Sequence, residues 1–202
     1  YNKTDKPEGV ENYRLNLLAG DVLGLISALG ERKAIVVGHD WGGSVAWFLA
    51  AFNPERAEKL VILNSPHPNA YTMKTKRSFG QLQKSWYVFF FQTREVPEEV
   101  LSRNDYLFLK NMLRASLIKK EALTDKDLRA HAEAWSQPGA LTSMINYYRA
   151  NMNPLILFSQ KTIVFPKISV PSLVIWGEQD VALSKNLIEN TEEFVDAAYS
   201  IK

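Results

Sequence analysis

The strongest constraint on this sequence is an apolar run that breaks at an acidic corner between glycines and continues as a helix. Residues 34–37 read Ala-Ile-Val-Val, a short β-branched run typical of a buried strand. From Ser44 to Phe52 the apolar spacing is helical, and Asn53-Pro54 ends that pattern. The corner at 38–43 reads Gly-His-Asp-Trp-Gly-Gly. The sequence therefore predicts an α/β domain in which Asp40 stands between a strand and the helix that follows it.

A corner of this kind has the layout of a nucleophile elbow, in which a tight turn presents a reactive side chain in a strained backbone conformation. We expect Gly38 and Gly42 to make room for the turn. Its central residue is Asp40, and a carboxylate there can attack carbon in a strained ring or an alkyl halide, which forms an alkyl ester. The alternative is that Asp40 only caps the helix through its first amides.

The Gly-His-Asp-Trp-Gly-Gly turn closely resembles that of the epoxide hydrolase branch of the α/β-hydrolase superfamily. Haloalkane dehalogenases are near relatives that share the aspartate nucleophile. The resemblance implies a mostly parallel sheet with a helical cap insertion, and it makes the backbone N–H of Trp41 one oxyanion donor. The family's second donor comes from a His-Gly-x-Pro loop, a motif that this sequence does not contain.

Two later apolar runs, at 60–63 and 172–176, are further strand candidates. Runs that are apolar on both faces and separated by helices indicate a parallel sheet covered on both sides. We expect three strands side by side with both flanking positions empty, and hence a partial chain. In that interpretation the family's N-terminal strands and its C-terminal histidine segment are absent. A helix before the first strand is predicted by an apolar stripe that Gly30 ends, formed by Leu18, Val22, Leu25, Ile26 and Leu29.

Helical patterns replace strand patterns between the second and third apolar runs. They cover 107–118, 124–135 and 144–149, which is too much chain for a simple connection. The sequence therefore predicts three parts. Residues 1–67 and 167–202 form the hydrolase core, and residues 68–166 form the inserted helical cap.

Two tyrosines in this insertion are the expected proton donors. Opening an epoxide leaves an alkoxide, a poor leaving group, so an acid must donate to the oxygen, and a phenol is protonated at neutral pH. Segments 85–92 and 146–149 resemble the two tyrosine segments of the family's cap, which implies donor roles for Tyr87 and Tyr148. Tyr147 is the alternative if the register differs by one residue, and packing in an aromatic core is the alternative for each tyrosine.

The segment Trp-Gly-Glu-Gln-Asp at 176–180 places acids after the third strand, where open α/β sheets carry functional groups. The resemblance makes Asp180 the acid that orients a catalytic histidine and stabilises its imidazolium. Glu178 is the less favoured candidate. The other interpretation is that Asp180 caps a helix over Ser184–Glu193.

The family's base is a histidine beyond the last strand, and none of this chain's three histidines takes that place. His39 precedes the nucleophile and is expected to support the elbow. His67 stands where the cap begins, and a hinge or packing role is favoured there. His131 is expected to lie exposed on a cap helix.

Composition excludes several other classes of function. A net charge of +2 does not indicate nucleic acid, and the absence of cysteine excludes disulfides and thiolate metal sites. The longest apolar run, at 86–91, is too short to span a bilayer. The location is not determined by the sequence, but a cytoplasmic one is favoured, because the absence of cysteine is compatible with a reducing compartment. No cofactor is expected, because carboxylate, phenols and imidazole handle every proton and charge.

These observations predict an epoxide hydrolase, or a central part of one, that acts on a small apolar epoxide with water. The first alternative is a haloalkane dehalogenase, which uses the same nucleophile but needs halide-binding donors rather than paired phenols. The alternative from another class is a non-catalytic binding protein that keeps the pocket of a hydrolase. The missing histidine and oxyanion loop are the best support for that last interpretation.

Overall fold

The computed structural model describes residues 3–75, 77–152 and 164–202. The chain divides into two compact units. The first, called the sheet unit, comprises residues 14–85 and 154–202; the second, called the helical unit, comprises residues 1–13 and 86–153. The division of the sequence at 68 and 166 stays a prediction.

A parallel sheet of four strands forms the centre of the sheet unit, in the order β1-β2-β3-β4. Its strands are β1 (Ala34–His39), β2 (Ala57–Leu63), β3 (Ser172–Ile175) and β4 (Tyr199–Ile201). The expectation of three strands with both flanks empty is wrong, because β4 pairs with β3. Three residues are too few to show a periodic pattern in the sequence, so β4 is recognised only by its hydrogen bonds with β3.

Four α-helices accompany the sheet: α1 (Leu15–Ala28), α2 (Trp41–Phe52), α3 (Pro68–Thr75) and α4 (Phe79–Lys84). Short 3₁₀ turns cover Pro54–Arg56, Lys185–Ile188 and Thr191–Phe194. The single helix expected over Ser184–Glu193 is therefore wrong. Asn190 separates the two 3₁₀ turns and has a left-handed backbone conformation, with φ of 57°. A residue in this conformation cannot continue a right-handed helix.

The core of the sheet unit lies between α2 and the inner strands, where Trp47, Leu49, Leu60, Ile62 and Val174 are buried. Burial of α1 and β1 is only partial. Ile26 is buried, but Leu29 is 72% exposed and Val37 is 63% exposed. The prediction of a buried apolar stripe on α1 is thus wrong for Leu29, and the prediction of a buried strand is wrong for Val37. Strand β1 is an edge strand among the described residues, and its outward face meets solvent.

The helical unit contains α5 (Trp86–Phe91), α6 (Val96–Ser116), α7 (Asp125–Trp135) and α8 (Ala140–Asn151). Helix α6 is kinked, because the backbone of Arg103, Asn104, Asp105 and Tyr106 is not helical. Short 3₁₀ turns cover Val10–Tyr13 and Lys120–Ala122. Helix α7 begins with a capping box, in which the Thr124 and Asp127 side chains accept from each other's backbone N–H groups. In the ranges that the structure describes, no helix is long and apolar enough to cross a membrane.

Candidate active site

Asp40 occupies the corner between β1 and α2 in a strained backbone conformation. Its φ of 52° and ψ of −121° lie outside the regions that L-residues ordinarily populate. The Asp40 backbone N–H donates to the Leu63 carbonyl at 3.3 Å, which ties the corner to the end of β2. The Asp40 carboxylate makes no capping hydrogen bond to α2, and the residue is exposed. The corner therefore presents the carboxylate rather than using it as a helix cap.

Two glycines allow the corner to be this tight. A Cβ on Gly38 would lie 2.6 Å from the Gly42 carbonyl carbon, and a Cβ on Gly43 would lie 2.8 Å from the Ser65 hydroxyl oxygen. Both distances are shorter than side chains tolerate. A Cβ on Gly42 would meet open space, so the expected steric role of Gly42 is wrong. Gly43 takes that role because the chain after β2 crosses at this point.

Trp41 is the first residue of α2 and is half-buried. Backbone N–H groups in the first turn point away from the helix's own carbonyls, and the helix dipole favours negative charge there. Negative charge is thus favoured at the start of α2, directly after Asp40 in the chain. The role of the Trp41 N–H as an oxyanion donor stays a prediction.

The Asp180 carboxylate is held by three hydrogen bonds within the sheet unit. Its Oδ1 accepts from the backbone N–H groups of Ala182 and Leu183, both at 2.8 Å. Its Oδ2 accepts from the Asn64 side-chain Nδ2 at 2.6 Å. Because a carboxylate offers about four lone-pair sites, one acceptor site on Oδ2 is left for a further donor.

Asn64 is a site residue that the sequence reasoning missed. It follows β2 directly, its φ is 41°, and its Oδ1 accepts from the Gly177 backbone N–H at 2.9 Å. The Asn64 side chain thus joins the end of β2 to the loop that carries Asp180. The sequence could have indicated Asn64 by its position directly after a predicted strand, because the carboxyl ends of parallel strands meet at one edge of a sheet.

Glu178 is placed differently from Asp180. It is exposed and forms an ion pair with Lys185, and the hydrogen bond from that lysine lowers the pKa of Glu178. Such an exposed pair contributes little to stability. Asp180 is half-buried and anchored by three donors, so it has the more fixed orientation of the two acids.

The three histidines lie in three different environments. His39 and His131 are exposed, and the His131 ring stacks on Trp135 at a centroid distance of 5.5 Å. His67 is fully buried, and burial lowers the pKa of His67 to about 4. The buried His67 therefore does not have the environment of a general base that acts near neutral pH.

The helical unit brings the two predicted phenol donors together. The rings of Tyr87 on α5 and Tyr148 on α8 are 5.6 Å apart and meet edge to face at 86°. Phe91 packs against both, at 5.8 Å from Tyr87 and 4.9 Å from Tyr148. Tyr147 instead packs on Tyr13 at 5.8 Å. Of the two adjacent tyrosines on α8, the structure therefore pairs Tyr148 with Tyr87.

A metal centre is not apparent in the described ranges 3–75, 77–152 and 164–202, where no three His, Asp or Glu side chains come together as ligands.

Comparisons with known proteins show that this chain is similar to hydrolases. The family model described as alpha/beta hydrolase fold matches residues 1–199. The AB hydrolase superfamily protein YfhM of Bacillus subtilis is 43% identical over 95% of this chain and 65% of its own length. Human epoxide hydrolase 4 is 37% identical over 96% of this chain and 53% of its own length.

Solved structures show the same similarity. A methionine-to-alanine mutant of an epoxide hydrolase from Bacillus megaterium superposes with a TM-score of 0.86 and 28% identity, covering 98% of this chain and 71% of that one. A phenylalanine-to-alanine mutant of an epoxide hydrolase from Bacillus megaterium, complexed with its product (R)-3-[1]naphthyloxy-propane-1,2-diol, superposes with a TM-score of 0.85 and 28% identity, covering 98% of this chain and 70% of that one. The chain described here spans about half to two thirds of the length of the curated relatives that it matches.

Proposed function

Because this chain belongs to the α/β-hydrolase family and is similar to epoxide hydrolases, we propose that it carries the reacting groups of an epoxide hydrolase with Asp40 as nucleophile. The observation that carries the proposal is the strained corner at Asp40, which presents a carboxylate where β1 meets the N-terminus of α2. A residue kept in such a conformation is typical of functional sites, where the surrounding structure compensates for the strain.

In the first step a carboxylate oxygen of Asp40 attacks an epoxide carbon. The carbon–oxygen bond of the ring breaks, and its electrons go to the epoxide oxygen. Tyr87 and Tyr148 hydrogen-bond to that oxygen, and one of them transfers its phenolic proton to it. The product of this step is a hydroxyalkyl ester on Asp40, and the edge-to-face pairing of the two rings supports a shared role.

In the second step water attacks the carboxyl carbon of the ester, and the bond between that carbon and the alkyl oxygen breaks. The leaving alkoxide takes the proton that a base removed from the water, which releases a vicinal diol, and the tyrosine regains its proton from the Asp40 carboxylic acid. The N-terminus of α2, through the Trp41 N–H, stabilises the oxyanion that forms. A base must take the proton of that water, and the buried His67 does not suit this role, because its pKa is lowered to about 4. The resemblance assigns this task to a histidine held by Asp180, and the remaining acceptor site on Oδ2 is available for its N–H.

An apolar aryl epoxide is the substrate class that we favour. Aromatic side chains pack against the tyrosine pair, since the Phe91 ring contacts both tyrosines and the exposed Trp86 ring contacts Tyr87. The naphthyl ether diol bound by the Bacillus megaterium enzyme has the same aromatic character.

The test is intact mass spectrometry of the purified chain after incubation with styrene oxide. We expect a stoichiometric adduct that maps to Asp40 and is absent from Asp40→Asn. Because no histidine is placed as the base, we expect the ester to persist. A folded chain that forms no adduct, as in a binding protein, would contradict the proposal.

The roles of Tyr87 and Tyr148 as proton donors are tested by the rate at which the same styrene oxide adduct forms. A general acid contributes about 10²–10⁴-fold to a rate, so Tyr87→Phe and Tyr148→Phe should slow adduct formation at least tenfold. Tyr147→Phe is the matched control, because it removes the neighbouring hydroxyl from the same helix. A Tyr147→Phe chain as slow as Tyr148→Phe would reverse the assignment, and unchanged rates in the two donor variants would favour a dehalogenase.

A further inference from the structure

Helix α5, which carries Tyr87, has only six residues, Trp86–Phe91. A helix this short is not stable by itself, because nucleation is unfavourable and few hydrogen bonds follow. The position of Tyr87 must therefore be fixed by contacts between α5 and its neighbours. The carboxyl end of α5 is where those contacts concentrate.

Arg149, the residue after Tyr148 on α8, holds the chain at that end. Its Nε donates to the Phe91 carbonyl at 2.9 Å, and its Nη2 donates to the Thr93 carbonyl at 2.6 Å. The same guanidinium binds both carboxylate oxygens of Glu98 on α6, at 2.6 and 3.0 Å. The side chains of Arg149 and Glu98 are only 12% and 21% exposed, so the pair is well shielded from solvent.

Gln92, the residue after α5, also connects the end of α5 to the end of α8. Its Nε2 lies within hydrogen-bonding distance of the carbonyls of Val88 on α5 and Met152 after α8, at 3.3 and 3.0 Å. The Phe91 ring packs against both Tyr87 and Tyr148. Arg149 thus binds the backbone of the residue whose side chain lies against both phenols.

We propose that Arg149 is a positioning residue, whose bidentate contact with Glu98 and bonds to the end of α5 fix the spacing of the Tyr87 and Tyr148 rings. The inference rests on the proposed function for its catalytic consequence. The planar fork of arginine is needed for this role, because a lysine ammonium cannot bind two carboxylate oxygens and two carbonyls in one plane.

The experiment measures the time course of the styrene oxide adduct in Arg149→Lys. Misplacing a reacting group by about 1 Å can reduce a rate on the order of a hundredfold. We expect the adduct rate constant at saturating epoxide to fall at least tenfold, with the final stoichiometry unchanged. A merely structural role would lower the stoichiometry, because part of the chain would be unfolded, and would leave the rate constant of the folded part unchanged.

Arg114→Lys is the matched control. Arg114 lies in the same unit and pairs with Asp125 at 2.7 Å, but both side chains are more than half exposed. We expect its adduct rate to equal that of the parent chain. If Arg149→Lys does not fold, Glu98→Gln removes the charge from the other side of the pair and should produce the same loss of rate.

Proton NMR tests the inference independently of the chemistry. Nuclear Overhauser contacts among the rings of Tyr87, Phe91 and Tyr148 should be present in the parent chain and in Arg114→Lys, and weakened in Arg149→Lys. Intact ring contacts in Arg149→Lys would overturn the inference, whether or not an adduct forms. Absence of an adduct from the folded parent chain, with ring contacts that depend on Arg149, would refute the proposed function alone.

Discussion

His67 makes the stability of the sheet unit sensitive to acid. The residue is fully buried, and its ring stacks on Phe194 at 4.8 Å and meets the Trp47 ring edge-on at 5.1 Å. Its Nδ1 accepts from the Asn69 backbone N–H at 3.2 Å, so the proton of the neutral ring is on Nε2. Nε2 has no hydrogen-bond partner among the described residues. A charged imidazolium is therefore poorly accommodated at this position.

The magnitude follows from the pKa of His67, which burial lowers from 6.5 to about 4. Above pH 6.5 the ring is neutral in both folded and unfolded chains, and the full stability is present. Between pH 6.5 and 4 the unfolded chain binds the proton and the folded chain does not, so stability falls as the pH falls. At about 1.4 kcal/mol per pKa unit, the complete loss is about 3 kcal/mol, a large fraction of a typical domain's stability.

The assay is urea unfolding at several pH values between 7 and 4, followed by tryptophan fluorescence. His67→Gln removes the titrating ring and can still accept from the Asn69 N–H, so its free energy of unfolding should depend less on pH than that of the parent chain. His131→Gln, which removes an exposed histidine, should behave like the parent. Equal pH dependence in the parent chain and His67→Gln would refute the reasoning.

Three further predictions concern the sheet unit. Gly38→Ala places a Cβ 2.6 Å from a carbonyl carbon of α2, so urea unfolding should show a loss of about 1–3 kcal/mol. Ile62→Ala empties a fully buried position on β2, and its thermal unfolding should report a loss of about 2–5 kcal/mol. Asn64→Asp keeps the side-chain shape but faces Asp180 with a second carboxylate, so hydrogen exchange of the backbone amides bound by Asp180 should accelerate. Asn190→Asp, at another left-handed and exposed position, should leave that exchange unchanged.

Local pattern was enough to predict the elbow. The change from a short apolar, β-branched run before 38–43 to a helical period after it located β1, the corner and α2, and the α/β-hydrolase fold is confirmed by the family match and by the solved structures. In the helical unit, α7, most of α8 and the second half of α6 were also predicted from their spacing and from the signals at their ends, whereas α5 and the first half of α6 were not. These features depend on residues within about one helix length of each other, which sequence periodicity reports directly.

The errors have a common physical cause. Strand β4 is defined by pairing with β3, and the exposure of Val37 and Leu29 depends on which elements cover β1 and α1. Gly43 rather than Gly42 is sterically required because Ser65, after β2, crosses it. Each of these features depends on residues that are distant in sequence and adjacent only in the folded chain.

The sequence by itself determined the type of fold, the carboxylate at the corner and the two tyrosines as candidates, because residue type and spacing decide which chemistry is available. Only the tertiary structure paired Tyr148 rather than Tyr147 with Tyr87, bound Asn64 to Asp180 and placed Arg149 on the end of α5. These contacts depend on distances between side chains on separate elements. Those distances are determined by packing, which satisfies buried polar groups and fills apolar volume over the whole chain at once.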